Sequence, residues 1–167
     1  MLGRAWEFPN WGDYVVASYA KPDLALLTLE RQLGEPLMLK LMHTYFMRYQ
    51  FDHPTTEDFR EVAVEVSGQP LDWFFEGLVE GGETLNYVAR SIQGETITVE
   101  RKGELVIPAE ITVTFEDGSR ETVIWDGVKT ENTIKFGKHS PVRSFIIDPQ
   151  HRLLIELDWT DNHLPKK

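Results

Sequence analysis

The first half of the chain has apolar residues three and four positions apart, a spacing that predicts four short helices. The first of these starts near Pro22, which suits a first helical turn because its missing N–H leaves no bond unmade, and it ends at Gly34. The second covers the stretch EPLMLKLMHTYFMRYQF. The third has Thr55 as its N-cap and ends at Gly68, and the fourth covers QPLDWFFEGLVE. The apolar positions on the core-facing stripes are Leu26, Leu27, Leu29, Leu33, Met38, Leu41, Met42, Tyr45, Tyr49, Phe59, Val62, Ala63, Val66, Leu71, Phe74, Phe75, Leu78 and Val79.

From about Leu85 the hydrophobic period changes from 3.6 to 2, which is typical of strands. The stretch GETITVERKGE alternates, and IPAEITVTFEDGSRETVIWDG predicts a hairpin that turns at EDGS. Further strands are predicted in NTIKFG, VRSFIIDP and RLLIELDW. Six or seven short strands at this spacing are typical of a β-sandwich.

A run of helices followed by a run of strands indicates two units and not one interleaved sheet. We place the boundary at Gly81–Thr84, with a helical unit at 1–83 and a sandwich unit at 84–167. The predicted fold class is therefore α+β, a bundle of about four short helices followed by a small antiparallel β-sandwich. Each unit has only about 80 residues, a size at which a single core is marginal.

Charge and composition narrow the classes of partner. The formal net charge is −10, which argues against nucleic acid or an anionic membrane as the main partner. The charge is uneven, with −8 on residues 1–83 and −2 on the rest. No apolar run is long enough for a membrane span, and the stretch MLGRAWEFPN lacks the apolar core of a signal peptide. Because the chain has no cysteine, its sequence does not indicate whether the protein resides in an oxidising or a reducing compartment.

The residue types that carry chemistry form no self-sufficient catalytic set. None of the five histidines pairs with another at helical spacing, and no H-E-x-x-H, P-loop or G-x-S-x-G motif occurs. A closed zinc site therefore cannot be assembled from the sequence. The acidic stretch DWTDN lacks the glycine and distal glutamate of a calcium loop, so turn chemistry explains it better.

Tyr19 stands out because it lies just before Pro22, where the pattern places a loop running into a helix. Two interpretations are open. The ring packs on the first turn and shows its hydroxyl to water, or the phenol lies at the mouth of a site and donates a hydrogen bond to a developing negative charge.

Six short motifs occur in an order that resembles the M1 family of zinc metallopeptidases, the gluzincin aminopeptidases. They are YAKP, LGEP, YQFDHPTTEDF, VSGQPLDWFF, IPAEITVTFEDG and IIDP, and the resemblance runs from about Tyr14 to Asn162. One departure is Pro22, where many members have glycine. The resemblance implies that 1–83 is the helical end of a thermolysin-like catalytic domain and that 84–167 is the sandwich that follows it.

The resemblance also implies a role for Tyr19, whose hydroxyl would stabilise the tetrahedral oxyanion of peptide hydrolysis beside a zinc ion. The family's H-E-x-x-H, distal glutamate and G-x-M-E-N motifs are absent from this chain. We therefore expect a fragment that starts inside the catalytic domain, is inactive alone, binds no zinc and needs the upstream half of the same polypeptide. The intact parent would hold zinc and act on peptides.

Cutting away partner elements would expose apolar surface, so we expect self-association or a loosely ordered N-terminus over roughly residues 1–12. Two other functions stay open. One is a non-catalytic helical and β-sandwich module that binds protein or glycan, and the other is a stand-alone hydrolase with an unrecognised site. The sequence does not indicate which substrate side chains the parent enzyme prefers or in which compartment the protein resides.

Overall fold

A computed structural model describes residues 3, 5–137 and 140–165 of the chain. Contacts divide the chain into two compact units, Met1–Gly82 and Glu83–Lys167, called here the helical unit and the sandwich unit. Helices fill the first and two antiparallel sheets fill the second, so the predicted α+β class is confirmed. His139 and residues 1, 2 and 4 of the N-terminal stretch lie outside the described residues.

The helical unit contains the four predicted helices, together with additional helical turns before the first. A short 3₁₀ turn, Ala5–Glu7, comes first. The helices then follow as α1 Trp11–Val15, the π-helical segment π1 Val16–Ala20, α2 Lys21–Leu33, α3 Glu35–Tyr49, α4 Thr56–Ser67 and the π-helical segment π2 Trp73–Glu80.

The ends of α4 are where local chemistry predicts them. The side chain of Thr55 accepts the Asp58 N–H, and the Asp58 carboxylate accepts the Thr55 N–H in return, which completes a capping box. Gly68 ends the helix with φ 68°, a left-handed conformation that glycine adopts without a steric penalty. The predicted third helix is therefore confirmed at both ends.

As predicted, an α-helix begins beside Pro22, since α2 starts at Lys21, but the prediction that Tyr19 lies on a loop before it is wrong. Helical backbone is already present from Trp11, where Asn10 is the N-cap and its side chain accepts the Asp13 N–H, and it continues through π1 into α2. Within an α-helix, a proline ring clashes with the carbonyl four residues earlier. Here the Lys21 N–H bonds to the Val16 carbonyl, five residues earlier. This wider turn lies directly before Pro22 and lets the helix run past the ring.

The core of the helical unit uses most of the predicted apolar stripes. Its buried members are Ala25, Leu29, Met38, Leu41, Ala63, Leu71, Phe74 and Phe75. Leu27 and Met42 differ from the prediction, since they are 39% and 41% exposed. On α2 the buried stripe runs through Ala25 and Leu29, four positions apart, which turns Leu27 outward.

The sandwich unit has seven described strands in two sheets. They are β1 Tyr87–Gln93, β2 Thr96–Arg101, β3 Ala109–Phe115, β4 Arg120–Trp125, β5 Glu131–Lys135, β6 Val142–Ile147 and β7 His163–Pro165. The first sheet has the order β1-β2-β5 and the second β4-β3-β6-β7, with every pairing antiparallel. The alternating inward residues of β3, from Ala109 to Phe115, are buried, as the hairpin prediction requires.

One strand prediction is wrong, and two strands, β1 and β7, are not among the predicted ones. The stretch RLLIELDW is not a strand, because the Asp148 carboxylate accepts the N–H groups of Arg152 and Leu153 and starts a looped segment. Strand β1 was not singled out in the sequence, because a bulge between Ala89 and Ser91 interrupts its alternation.

Candidate functional site

Tyr19 lies in π1 and is 62% exposed, outside the buried core of the helical unit. Its ring meets the Tyr14 ring edge to face, with centroids 6.2 Å apart and planes at 79°. Tyr14 in turn packs against Trp11, at 5.2 Å, and against Phe8, at 5.7 Å. These four rings form an aromatic cluster on the N-terminal part of the helical unit.

The backbone beneath Tyr19 is helical. Tyr19 lies in π1, where the Lys21 N–H donates to the Val16 carbonyl, and π-helical turns are frequent at functional sites. The Tyr14 ring restricts the orientations that the Tyr19 ring adopts. An exposed phenol held in this way is able to donate a hydrogen bond to a ligand oxygen. This property is compatible with both interpretations of Tyr19, and its catalytic role stays a prediction.

A second feature of the helical unit is an open apolar groove of about 480 Å³ among α2, α3, α4 and π2. Leu26 and Phe75 contribute to its walls, together with Tyr45 and Phe59, whose rings meet edge to face at 5.1 Å. The sequence pattern assigned these residues to helix stripes, and only the packing of the helices shows that a groove remains between them.

The described residues offer no set of ligands for zinc. Among residues 3, 5–137 and 140–165, no three histidine, aspartate or glutamate side chains come together as metal binding requires. His43 and His53 are exposed, and the His151 ring meets the Trp159 ring edge to face, with centroids 4.3 Å apart. The described residues therefore do not fit zinc, and zinc in a longer parent enzyme stays a prediction.

A buried carboxyl, Glu156, is the functional group that sequence reasoning missed. Glu156 is 7% exposed, and burial raises its pKa to about 7. The signal in the sequence is an acidic residue inside the apolar stretch RLLIELDW, for which the alternation predicts a strand.

Within the described part of the chain, no helix has the length and apolar character needed to cross a membrane.

Comparison with known proteins gives one family match, and it concerns the sandwich unit alone. Residues 92–140 match the family described as bacterial Ig-like domain (group 4). This stretch runs from the end of β1 to just beyond β5 and covers less than half of the chain. No curated protein matches the chain.

Comparison with solved structures shows a fold shared with part of a peptidase. The crystal structure of Legionella pneumophila aminopeptidase A in complex with aspartic acid is similar, with a TM-score of 0.61 and 16% sequence identity. The match covers 87% of this chain and 18% of that chain, so this chain spans less than a fifth of that protein's length. At this identity the likeness establishes the fold, and the fold of this chain is that of part of an aminopeptidase.

Proposed function

We propose that this chain is part of a zinc aminopeptidase of the M1 type, in which it forms the helical end of the catalytic domain and the following sandwich. The observation that carries the proposal is the structural match to an aminopeptidase over 87% of the chain. The motif order from YAKP to IIDP, which resembles the same class of enzyme, supports it independently. The substrate of the parent would be a peptide with a free N-terminus.

In this proposal Tyr19 is the catalytic residue that the chain contributes. Its hydroxyl donates a hydrogen bond to the oxyanion that develops when water adds to the scissile carbonyl, and this bond is stronger in the transition state than in the ground state. The 62% exposure of Tyr19 supports the role, because the phenol is accessible to a group outside the unit. Since the described residues offer no ligand set for zinc, the metal would be held elsewhere in the parent.

The test uses the full-length parent enzyme and the variant Tyr19→Phe. Loss of one oxyanion donor lowers kcat by about 10²–10³ with KM nearly unchanged. The matched control is Tyr14→Phe, which removes the neighbouring hydroxyl and keeps the ring contact. A drop in kcat of tenfold or less for Tyr19→Phe would contradict the catalytic role and favour the interpretation that Tyr19 only packs on its neighbours. Folding of the chain should change by less than about 1 kcal/mol in either variant.

The coding sequence upstream of Met1 provides a faster test. An H-E-x-x-H motif within roughly 100 residues of Met1 is the expected finding, because its two histidines and glutamate carry the metal and the general base of this class. A start codon at Met1 preceded by an unrelated gene would contradict the proposal.

The alternative is a non-catalytic module that binds a protein or a glycan. The apolar groove of about 480 Å³ and the Ig-like match of residues 92–140 favour it. Under this alternative Tyr19→Phe leaves every activity of the full-length protein unchanged, so the same variant separates the two functions.

A further inference from the structure

Helix α3 is apolar on its outer face as well as on the face that meets the core. Met38 and Leu41 face the core and are buried. On the outer face, the positions i, i+3, i+4, i+7 and i+8 counted from Leu39 are apolar except for the exposed His43. We call this face the outer α3 stripe, and its apolar members, each between 41% and 62% exposed, are Leu39, Met42, Phe46 and Met47.

Two features distinguish the outer α3 stripe from the rest of the surface. Among the described residues, no other helix or strand carries four exposed large apolar side chains. The turn after α3 adds a fifth, Phe51, which is almost fully exposed and has φ 67°, a left-handed conformation that is unfavourable for phenylalanine. Single exposed apolar side chains are normal, whereas a group of them on one element marks an interaction surface.

The size of this surface matches what a dimer of the chain needs. At the observed exposures, the stripe and Phe51 together expose about 600 Å² of side-chain surface. Two copies would bury roughly 1,200 Å² in total, which is the lower limit for a specific, stable interface. Phenylalanine and methionine are also enriched in the centres of interfaces. This surface alone is therefore large enough for a weak, reversible dimer.

The charges favour a second copy over a charged partner. The outer α3 stripe contains no aspartate, glutamate, lysine or arginine, so a partner of opposite charge would find no ion pair there. A two-fold axis through the stripe brings the same apolar patch from both copies together and buries no unpaired charge. The net charge of −8 on residues 1–83 opposes the approach of two copies, and salt screens this repulsion.

We propose that the outer α3 stripe is the interface of a homodimer, in which α3 of one copy packs against α3 of a second copy across a two-fold axis. Such an interface uses the same patch on both sides and closes at two copies. Met42 lies near the middle of the stripe and therefore close to its own copy, whichever direction the partner helix runs. The proposal goes beyond the peptidase function and does not depend on it.

Sedimentation equilibrium of the 167-residue chain tests the dimer. From about 1 to 200 µM the average mass should rise from 19.3 kDa towards that of two chains, with a dissociation constant in the micromolar range. The dimer should become tighter when the salt concentration is raised, because the repulsion between the two acidic units is screened.

Four variants locate the interface. Phe46→Glu should weaken the dimer at least about 30-fold, because it places a charge in the centre of the apolar contact. Ile124→Glu, at a similarly exposed position on β4, is the matched control, and Trp11→Glu tests the N-terminal aromatic cluster as a competing surface. Both should leave the dissociation constant unchanged. Because the chain has no cysteine, Met42→Cys supplies a single thiol, and oxidation should link two copies, whereas Ile124→Cys should stay monomeric.

Circular dichroism checks that Phe46→Glu keeps its fold, and the Met42→Cys cross-link tests the interface without a charge substitution. A wild-type chain that stays monomeric over the whole range, an assembly that grows beyond two copies, or an unaltered dimer in Phe46→Glu would each overturn the proposal. An equal loss of the dimer in Ile124→Glu or Trp11→Glu would also overturn it. So would a full-length parent that stays monomeric, because another part of the same polypeptide would then cover the stripe.

Discussion

Replacing Tyr87 by phenylalanine removes one oxygen atom from the interior of the sandwich unit. Tyr87 is fully buried, and its hydroxyl donates to the Ile107 carbonyl and accepts the Ile107 N–H at 3.2 Å. Gly127 leaves room for the phenol, because a Cβ there would lie 2.6 Å from the hydroxyl oxygen. The ring also packs on Trp125, with centroids 4.8 Å apart. The two hydrogen bonds of the hydroxyl therefore connect the loop between β2 and β3 to β1.

The magnitude follows from the groups that Tyr87→Phe leaves behind. Ile107 is also fully buried, so its N–H and carbonyl would both lose their partner in a place that water does not reach. Each unsatisfied buried group costs about 1–3 kcal/mol, and the variant recovers the cost of burying the hydroxyl. The expected loss in the free energy of unfolding is about 2–4 kcal/mol. For a unit of this size such a loss is a large part of the total stability.

Urea unfolding, followed by far-ultraviolet circular dichroism and by tryptophan fluorescence, measures this loss. Two probes are needed because the chain has two units, and a single transition has to be demonstrated. Thr122→Val is the matched control in the same unit. Its hydroxyl, 3.2 Å from that of Thr112, is on the exposed face of the sheet, so the change should stay within about 0.5 kcal/mol. A cost for Tyr87→Phe as small as that of the control would refute the reasoning.

Four further outcomes are expected. Thr55→Ala, which removes the cap of α4, should cost about 1 kcal/mol in urea unfolding, whereas Thr44→Ala within α3 should cost less than half as much. Glu156 has a pKa of about 7 in the folded chain and 4.5 in the unfolded chain, so above pH 4.5 the folded chain binds more protons. The free energy of unfolding should therefore fall by about 2 kcal/mol from pH 5.5 to 8, and a flat profile would contradict this. Elemental analysis after dialysis should find no stoichiometric zinc on the isolated chain, and one tightly held ion per chain would count against the proposal. Light scattering should show self-association through exposed apolar side chains such as Phe46, at 61% exposure, while a monodisperse monomer would argue otherwise.

The sequence determined the features whose hydrogen bonds join neighbours along the chain. The Thr55–Asp58 capping box and the Gly68 end of α4 involve residues no more than four positions apart. The turn between β3 and β4 is equally local, since Asp117 accepts the N–H of Ser119. The change of the hydrophobic period near Leu85 separates the helices from the strands. Burial of one face places apolar residues at a period of 3.6 along a helix and at a period of 2 along a strand.

The candidate site was only partly predictable. The motif YAKP singled out Tyr19 by resemblance, but the pattern placed it on a loop because Pro22 is a strong local signal for a helix start. In the structure a π turn directly before Pro22 joins α1 to α2, so Tyr19 lies on helical backbone. The groove depends on how helices far apart in the sequence meet.

Tertiary structure alone decided the contacts that span long distances in the sequence. Glu156 and Tyr87 are 69 positions apart, and Tyr87 and Ile107 are 20 apart. In the sequence, Glu156 has the position of a solvent-facing residue on an amphipathic strand. The alternation of apolar and polar residues does not distinguish a solvated carboxyl from one that accepts a backbone N–H in place of a neighbouring strand. The difference arises when β1 presents an N–H group that no neighbouring strand satisfies, and a buried N–H group must find an acceptor wherever the fold brings one.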